Sequence, residues 1–277
     1  MPQPDPTALA AQSTWDVVVT GGGPAGIAAA LAARAAGVAN ILLIDLADGA
    51  GGALAAMGLR GIPTDGGAGG DADLAAVGVR RSYQMALIAL WAGLELRMLS
   101  PSGVARAGTK ALVLATGGRE QTRGNLLLPG TRPAGVLTAG AALRLLAATG
   151  RLPGRRAVIA GAGRWADLAA RELERAGAEI VARVSEVATI EGWPRVTDAG
   201  LADGRRLACD LLVLATPLLA WLPPALGSAA GLPGVFVAGS AALGEIDAHE
   251  AAAAGEAAGK QAAEWILRDK MTDDKLK

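Results

Sequence analysis

Apolar runs and alanine-rich segments alternate along the chain, and glycine-rich turns separate them. The stretch DVVVTGGGPAGIAAALAARAAG opens with an apolar run, residues 16–20, that is typical of a buried strand. The alanine-rich residues 24–36 predict a helix that packs on a sheet, and the run NILLIDL, residues 40–46, predicts a second buried strand. This order of strand, helix and strand predicts a βαβ unit with parallel strands.

The same order occurs a second time in RRAVIAGAGRWADLAARELERAGAEIVARVS, residues 155–185. A further apolar run follows each unit, at residues 111–117 and 209–217. Beyond them lie GVFVAGS, residues 234–240, and an alanine-rich helix that is predicted to begin near Asp247. The internal repeat makes each motif more informative than it is alone. The pattern predicts an α/β fold with two Rossmann-like dinucleotide-binding domains, the second of them shortened and inserted into the first.

Two segments between these units have a less regular pattern. Residues 80–99, RRSYQMALIALWAGLELRML, are interpreted as a helix that leads into a short strand. Residues 65–73, DGGAGGDAD, are rich in glycine and predict a flexible loop.

The first glycine turn has the spacing of a dinucleotide-binding fingerprint. Gly21, Gly23 and Gly26 fit G-x-G-x-x-G, and Asp45 ends the second strand about 20 residues further on. In such a turn the glycines allow a tight bend, close approach of a pyrophosphate and close packing of helix on strand. The acid accepts hydrogen bonds from ribose hydroxyls. A glycine-rich turn without a ligand is the alternative, but the correct placing of strand, helix and acid favours nucleotide binding.

The second glycine turn departs from this fingerprint. Gly161, Gly163 and Ala166 form a G-x-G-x-x-A variant, yet the position of the acid falls on Ser185. Glu186 lies one residue further along, where a strand would direct it to the other face. The segment that follows leaves room only for short β connections. Binding of NAD(P) is therefore doubtful, although Arg183 and Arg164 leave open a 2′-phosphate or an ADP-like ligand.

Composition excludes several classes of function. The 277 residues include 26 basic and 26 acidic side chains, which argues against a nucleic-acid surface. No apolar stretch approaches the ~20 residues needed to span a bilayer, and residues 1–14 are expected to be a flexible leader without a signal peptide. One cysteine, Cys209, allows neither an internal disulfide nor a Cys-x-x-Cys pair, and a single histidine adds too few ligands for a metal site. The sequence predicts a cytoplasmic protein.

Four blocks, VVVTGGGPAG, ALVLATGGRE, AVIAGAG and GVFVAGS, resemble the two-dinucleotide-domain flavoproteins of the pyridine nucleotide-disulfide oxidoreductase-like superfamily. The resemblance implies an FAD-binding domain from residues 15–150 and 227–268, a shortened NAD(P)-type domain from residues 151–226, and a charged tail at 269–277. Residues 115–146 resemble, more narrowly, the FAD subunits of dye-linked dehydrogenases, opine oxidase, hydrogen cyanide synthase and proline dehydrogenase.

The resemblance also implies which residues hold the cofactor. The helix that begins at residues 247–250 is expected to direct its N-terminus at the flavin pyrimidine ring. A second nucleotide site is implied at Gly161, Gly163 and Arg164. The residues expected to contact FAD are Gly21, Gly22, Gly23, Pro24, Ala25, Gly26, Asp45, Gly51, Gly52, Ala115, Thr116, Gly117, Gly239 and Ser240.

Three further residues qualify this assignment. Ser240 stands where the superfamily usually has aspartate, which weakens one FAD contact to that of a hydroxyl. His249 is either a proton donor near the flavin or a polar residue without chemistry. Glu120, after the Ala-Thr-Gly segment, either forms a structural ion pair with Arg119 or faces the substrate, and the structural role is favoured.

The expected function is that of an FAD-dependent oxidoreductase. The main hypothesis is a flavoprotein subunit of a heteromeric amine, amino-acid or opine dehydrogenase or oxidase, with a small-molecule substrate and with a partner subunit or a homo-oligomer. One alternative is an NAD(P)H-dependent flavoprotein reductase. The other is a non-catalytic assembly subunit that retains the fold.

Overall fold

The structure is a computed structural model that describes residues 14–59 and 70–275, with side chains up to residue 268. It divides into two units. Unit 1 contains the described residues up to 55, from 70 to 118 and from 220 onward, and unit 2 contains residues 56–59 and 119–219. The division therefore falls at 118/119 and 219/220, rather than at the expected 150/151 and 226/227.

The elements follow one another in the order expected of an α/β chain. The first part contains β1 (Thr14–Thr20), α1 (Pro24–Ala35), β2 (Ile41–Ile44), α2 (Gly52–Ala56), α3 (Asp71–Ala76), β3 (Arg80–Ser82), β4 (Ala86–Trp91), β5 (Glu95–Ser100) and β6 (Gly103–Leu114). The middle part contains β7 (Val136–Thr138), α4 (Ala139–Thr149), β8 (Arg156–Ala160), α5 (Arg164–Arg175), β9 (Glu179–Val184), β10 (Thr189–Glu191), β11 (Asp198–Gly200), β12 (Arg206–Ala208) and β13 (Leu211–Leu214). The last part contains α6 (Pro224–Gly227), β14 (Val235–Val237), α7 (Ser240–Leu243) and α8 (Ala248–Lys275).

The sheet of unit 1 has parallel strands in the order β3-β2-β1-β6, and β14 also pairs with β6 in parallel. Thr20 lies opposite both Ile44 and Leu114, so three strands end at one edge and present their turns together. The long β6 continues at its N-terminal end into an antiparallel sheet with β5 and β4.

The helix expected within residues 80–99 is wrong, because its residues form β3 and β4, whereas the short strand expected at the end of this segment is present as β5. Gly93 and Leu94 both have positive φ, which bends the chain between β4 and β5. In β5 the buried Leu96 and Met98 alternate with more exposed neighbours, which is the period of a strand. The apolar run ALIALW of β4 conceals such an alternation in the sequence.

Three other expectations concern segment ends. Residues 1–13 and 65–69 lie outside the described residues, so the leader is described only at Thr14, which belongs to β1. Within the expected loop, residues 71–73 begin α3, where the Asp73 carboxylate accepts a hydrogen bond of 2.8 Å from the Gly70 N–H. The expected tail at residues 269–277 is helical as far as Lys275, since α8 continues to that residue.

Helices α1 and α8 pack closely on each other in unit 1. A Cβ on Gly255 would lie 2.0 Å from the Ala25 carbonyl oxygen, and one on Gly259 would lie 2.2 Å from that of Ala29. Side chains at these two positions would separate the helices. The pairing of 255 with 25 and of 259 with 29 shows that the helices run in parallel.

Unit 2 has a parallel sheet in the order β7-β13-β8-β9. Ala160 lies opposite both Val184 and Leu214, which repeats the register of unit 1. Because β7 pairs with β13, residues before 150 belong to this unit, which explains the shifted boundary. A small antiparallel sheet of β10, β11 and β12 occupies the short connection, as its length predicted.

Candidate functional site

The first glycine turn connects β1 to α1 and depends on glycine at two positions. Gly21 has φ +110°, and a Cβ there would lie 2.1 Å from the Ala115 carbonyl oxygen. A Cβ on Gly26 would lie 1.7 Å from the Gly21 carbonyl oxygen, so α1 approaches the turn more closely than any other residue allows. Both requirements arise from contacts within the protein.

Gly23 is different, because the protein leaves space beside it. A Cβ on Gly23 would meet only the Gly52 Cα, at 3.8 Å, and its φ of −78° suits any residue. Helix α1 follows with Pro24 in its first turn and without a side-chain cap. The N–H groups at the start of α1 are therefore available to an anion such as a phosphate.

Asp45 follows β2 and lies against the same turn. Its carboxylate accepts hydrogen bonds from the Gly22 N–H and, at 2.6 Å, from the Ala47 N–H. The side chain thus stands where the fingerprint places the acid for the ribose. The contact with Ala47 has no signal in the sequence, since it is made by the backbone.

The paired glycines 51 and 52 bring a second loop against the turn. The Gly51 N–H donates a hydrogen bond of 2.7 Å to the Gly22 carbonyl oxygen. Gly52 has φ +60°, and a Cβ on it would lie 2.8 Å from the Gly23 Cα. These glycines permit the close approach of two loops.

Residues 115–117 follow β6 at the same edge of the sheet. The Ala115 N–H donates to the Thr20 carbonyl oxygen at 2.8 Å, which places the segment beside the end of β1. Thr116 is exposed, and Gly117 has φ +81°. The segment therefore lies next to the turn with its threonine directed to solvent.

The last predicted block also reaches this region. Gly239 has φ +65°, and a Cβ on it would lie 2.6 Å from the Ala25 Cβ in the first turn of α1. Ser240, which begins α7, is half-buried. The Gly-Ser pair is thus adjacent to the N-terminal end of α1.

Helix α8 extends beyond this end of α1. Since Gly255 is level with Ala25, the first two turns of α8 project roughly 10 Å past the start of α1. Asp247 and Glu250 cap the helix reciprocally, each carboxylate accepting from the other's N–H at 2.7–2.8 Å. His249 lies in this projecting part and is exposed.

The second glycine turn has the same backbone plan in unit 2. A Cβ on Gly161 would lie 2.1 Å from the Ala215 carbonyl oxygen, and the Gly161 N–H donates to the Val184 carbonyl oxygen at 2.8 Å. Ala166 is fully buried at the position that corresponds to Gly26. Gly163 has φ +91°, unlike its counterpart Gly23.

The surroundings of this turn do not match those of the first. Ser185 follows β9 and is exposed, and the Arg183 guanidinium pairs with the Asp167 carboxylate in α5. Arg164, at the start of α5, is exposed. In unit 1 β3 lies outside β2, whereas among the described residues no strand pairs with the outer edge of β9. The residues present are thus a poor fit for NAD(P).

Glu120 has a structural environment, as expected. Its carboxylate accepts hydrogen bonds from the Gly140 N–H at 2.6 Å, the Thr138 hydroxyl at 2.9 Å and the Trp165 indole N–H at 3.0 Å. Arg144 adds an ion pair at 3.3 Å. These contacts connect the start of α4 to α5.

Other reactive groups are few in the described part of the chain. Burial and the carboxylates of Asp198 and Asp210 raise the pKa of the Cys209 thiol to about 11, so this thiol is not a nucleophile at neutral pH. The described residues contain no cluster of three metal-ligating side chains. Within the same residues no helix is long and apolar enough to cross a bilayer.

No family model and no curated protein matches the sequence. Solved structures do match. L-proline dehydrogenase from P. horikoshii is 24% identical with a TM-score of 0.70, and the match covers 93% of this chain and 56% of that one. Thioredoxin reductase from Lactococcus lactis is 17% identical with a TM-score of 0.68, covering 92% and 99%. An NAD-dependent persulfide reductase from A. fulgidus is 17% identical with a TM-score of 0.65, covering 90% and 59%.

The chain has the Rossmann-type α/β fold of these oxidoreductases. This confirms the predicted fold class. The chain spans a little over half the length of the proline dehydrogenase and persulfide reductase chains, and nearly the whole length of the thioredoxin reductase chain.

Proposed function

We propose that the protein is an FAD-dependent oxidoreductase. The observation that carries this proposal is the first glycine turn, where the loops at Asp45, Gly51 and Ala115 meet the uncapped start of α1. Glycines 21 and 26 are required by contacts within the protein, but the space beside Gly23 has no occupant in the chain itself. A pyrophosphate fits that space and the available N–H groups.

The cofactor would lie across unit 1 as follows. Asp45 would bind the adenosine ribose, the start of α1 the pyrophosphate, and Ser240 the ribityl portion. The first two turns of α8, which project past α1, would be near the flavin ring. There the dipole of α8 would favour electron density on the ring, and the carboxylates of Asp247 and Glu250 that cap this end would oppose it.

When bound, FAD would supply the redox chemistry by accepting a hydride from the substrate. The chain's own residues would hold the cofactor and set the electrostatics around it. His249, exposed in the first turn of α8, is the residue proposed to hold a proton there. The alternative is that His249 is a polar residue that takes no part in the reaction.

We infer further that the chain is the flavoprotein subunit of a heteromeric amine, amino-acid or opine dehydrogenase or oxidase. Two observations support this: the likeness of residues 115–146 to such subunits, and the structural likeness to L-proline dehydrogenase. A partner subunit would then supply the substrate or take up the electrons.

An NAD(P)H-dependent reductase is the second candidate. It is favoured by the likeness to a thioredoxin reductase that matches over nearly its whole length, and by the intact bend at Gly161. It is disfavoured by Ser185 and by the ion pair of Arg183 with Asp167. We therefore favour the dehydrogenase or oxidase subunit over the NAD(P)H-dependent reductase.

Absorption spectroscopy of the purified protein tests the proposal. We expect a yellow protein that releases FAD, not FMN, on denaturation, with one FAD per chain after reconstitution. A colourless protein that takes up no FAD would overturn the proposal and favour the non-catalytic assembly subunit. Reduction of the flavin by an amine or amino acid, once a partner is added, would identify the substrate class.

A further inference from the structure

The peptide of Gly22 is held from both sides in the first turn. Its N–H donates to the Asp45 carboxylate, and its carbonyl oxygen accepts from the Gly51 N–H at 2.7 Å. Gly22 itself is buried. The two hydrogen bonds fix the central peptide of the glycine turn, and one of them comes from the acidic side chain.

The Asp45 carboxylate is itself held on a fixed loop. Its second oxygen accepts from the Ala47 N–H at 2.6 Å. The carbonyl oxygens of Asp45 and Ala47 accept from the N–H groups of Met85 and Gln84, both at 2.8 Å. The loop is therefore anchored to the segment between β3 and β4, and the carboxylate has little freedom to leave Gly22.

The corresponding peptide in unit 2 lacks this support. Ala162 and Ser185 occupy the positions of Gly22 and Asp45, and both are exposed. In the described part of the chain, the Ala162 N–H has no hydrogen-bond partner. A serine side chain is also shorter and uncharged, so it makes a weaker acceptor.

We propose that Asp45 is a positioning residue for the glycine turn, in addition to its expected contact with the ribose. Its carboxylate holds the Gly22 peptide in place before any nucleotide arrives, so that the turn and the start of α1 already have the shape that receives a pyrophosphate. Each carboxylate oxygen accepts one N–H and retains a second acceptor position for a ribose hydroxyl. The two roles are therefore compatible.

The first test is amide hydrogen exchange in flavin-free, full-length protein, measured by NMR at Gly22. Asp45→Ser gives the first turn the same side chain, serine, that the second turn has at the corresponding position 185. A charge-assisted hydrogen bond is lost, so we expect the Gly22 amide to exchange roughly tenfold faster or more. Asp48→Ser is the matched control, since Asp48 is exposed in the same loop and makes no hydrogen bond to the described residues. Unchanged exchange in Asp45→Ser would overturn the proposal.

The second test measures binding of inorganic pyrophosphate, which has no ribose. This test rests on the proposed function, because it assumes that the first turn binds a pyrophosphate. Removal of a negative charge would by itself strengthen binding of an anion. A positioning role predicts the opposite, a several-fold weaker affinity for pyrophosphate in Asp45→Ser than in Asp48→Ser, measured by calorimetry. Equal or tighter binding would contradict it.

The outcomes separate the two proposals. If Asp45→Ser binds FAD weakly while exchange and pyrophosphate affinity are unchanged, Asp45 is a ribose ligand only and the proposed function stands. If the wild-type protein binds no FAD, the proposed function fails, and the exchange experiment still decides the positioning role. Should Asp45→Ser fail to fold by circular dichroism, Asp45→Asn, which keeps one acceptor, takes its place in both measurements.

Discussion

Gly21 and Gly161 occupy matching positions in the two units, and a Cβ on each would lie 2.1 Å from the carbonyl oxygen of the alanine that directly follows a neighbouring strand. The strands on either side also match in register. Around this shared bend the units differ: the Asp45 carboxylate accepts a hydrogen bond from the first turn, whereas Ser185 is exposed and makes no hydrogen bond within the described part of the chain. The same bend thus occurs with and without an acidic side chain beside it, and we expect the groups around it to decide whether a nucleotide binds.

The largest expected effect comes from filling the space beside Gly23. The chain itself tolerates a Cβ there, so Gly23→Val should fold normally but force a branched side chain into the position of the pyrophosphate. We expect FAD affinity to fall roughly 100-fold, as measured by equilibrium dialysis. Gly49→Val is the matched control, because no atom lies within 4 Å of a Cβ on Gly49. Full flavin occupancy in Gly23→Val would show that the first turn does not bind the pyrophosphate of the cofactor.

The third position of each fingerprint gives a comparison of stability. Gly26→Ala places a Cβ 1.7 Å from the Gly21 carbonyl oxygen and should destabilise the fold by about 1–3 kcal/mol. The reverse change in unit 2, Ala166→Gly, should cost only about 1 kcal/mol, the usual helix penalty of glycine. Urea unfolding measures both. Equal costs would show that the two helices approach their turns equally closely.

The sequence predicted the fold because its signals are local. Glycine spacing, fully apolar runs and the internal repeat identified both turns and the parallel sheets. Strand β4 was not predicted because its run ALIALW is apolar throughout, so the sequence shows no alternation there. The position of the division at 118/119 has no local signal in the sequence, because it depends on the pairing of β7 with β13, which joins residues far apart in the chain. The backbone contacts of Ala47 and Gly51 leave no side-chain signal, so the sequence could not predict how the turn is held.

The missing acid of unit 2 can be restored. Ser185→Asp should strengthen binding of NADH up to about tenfold, on the scale of one charge-assisted hydrogen bond at an exposed position. Ser185→Asn controls for side-chain size, and fluorescence titration with NADH compares the two. No gain would indicate that Ser185 does not limit NADH binding at the second turn. The limit would then be the outer edge of β9, with which no strand pairs among the described residues.

The smallest expected effect is at Ser240. If this half-buried residue faces the ribityl hydroxyls, Ser240→Asp should tighten FAD binding several-fold through stronger acceptor oxygens. Competition with a weakly bound flavin measures the change. Weaker binding would mean that the position faces a phosphate, and no change would place Ser240 away from the cofactor.

The difference between the two turns is tested most directly by anaerobic stopped-flow mixing of the FAD-loaded protein with NADH or NADPH. We expect the first turn to retain FAD, while neither nicotinamide nucleotide bleaches the flavin at an ordinary turnover rate. Saturable bleaching at ~1–1,000 per second would contradict it, and would establish the second turn as a working NAD(P)H site.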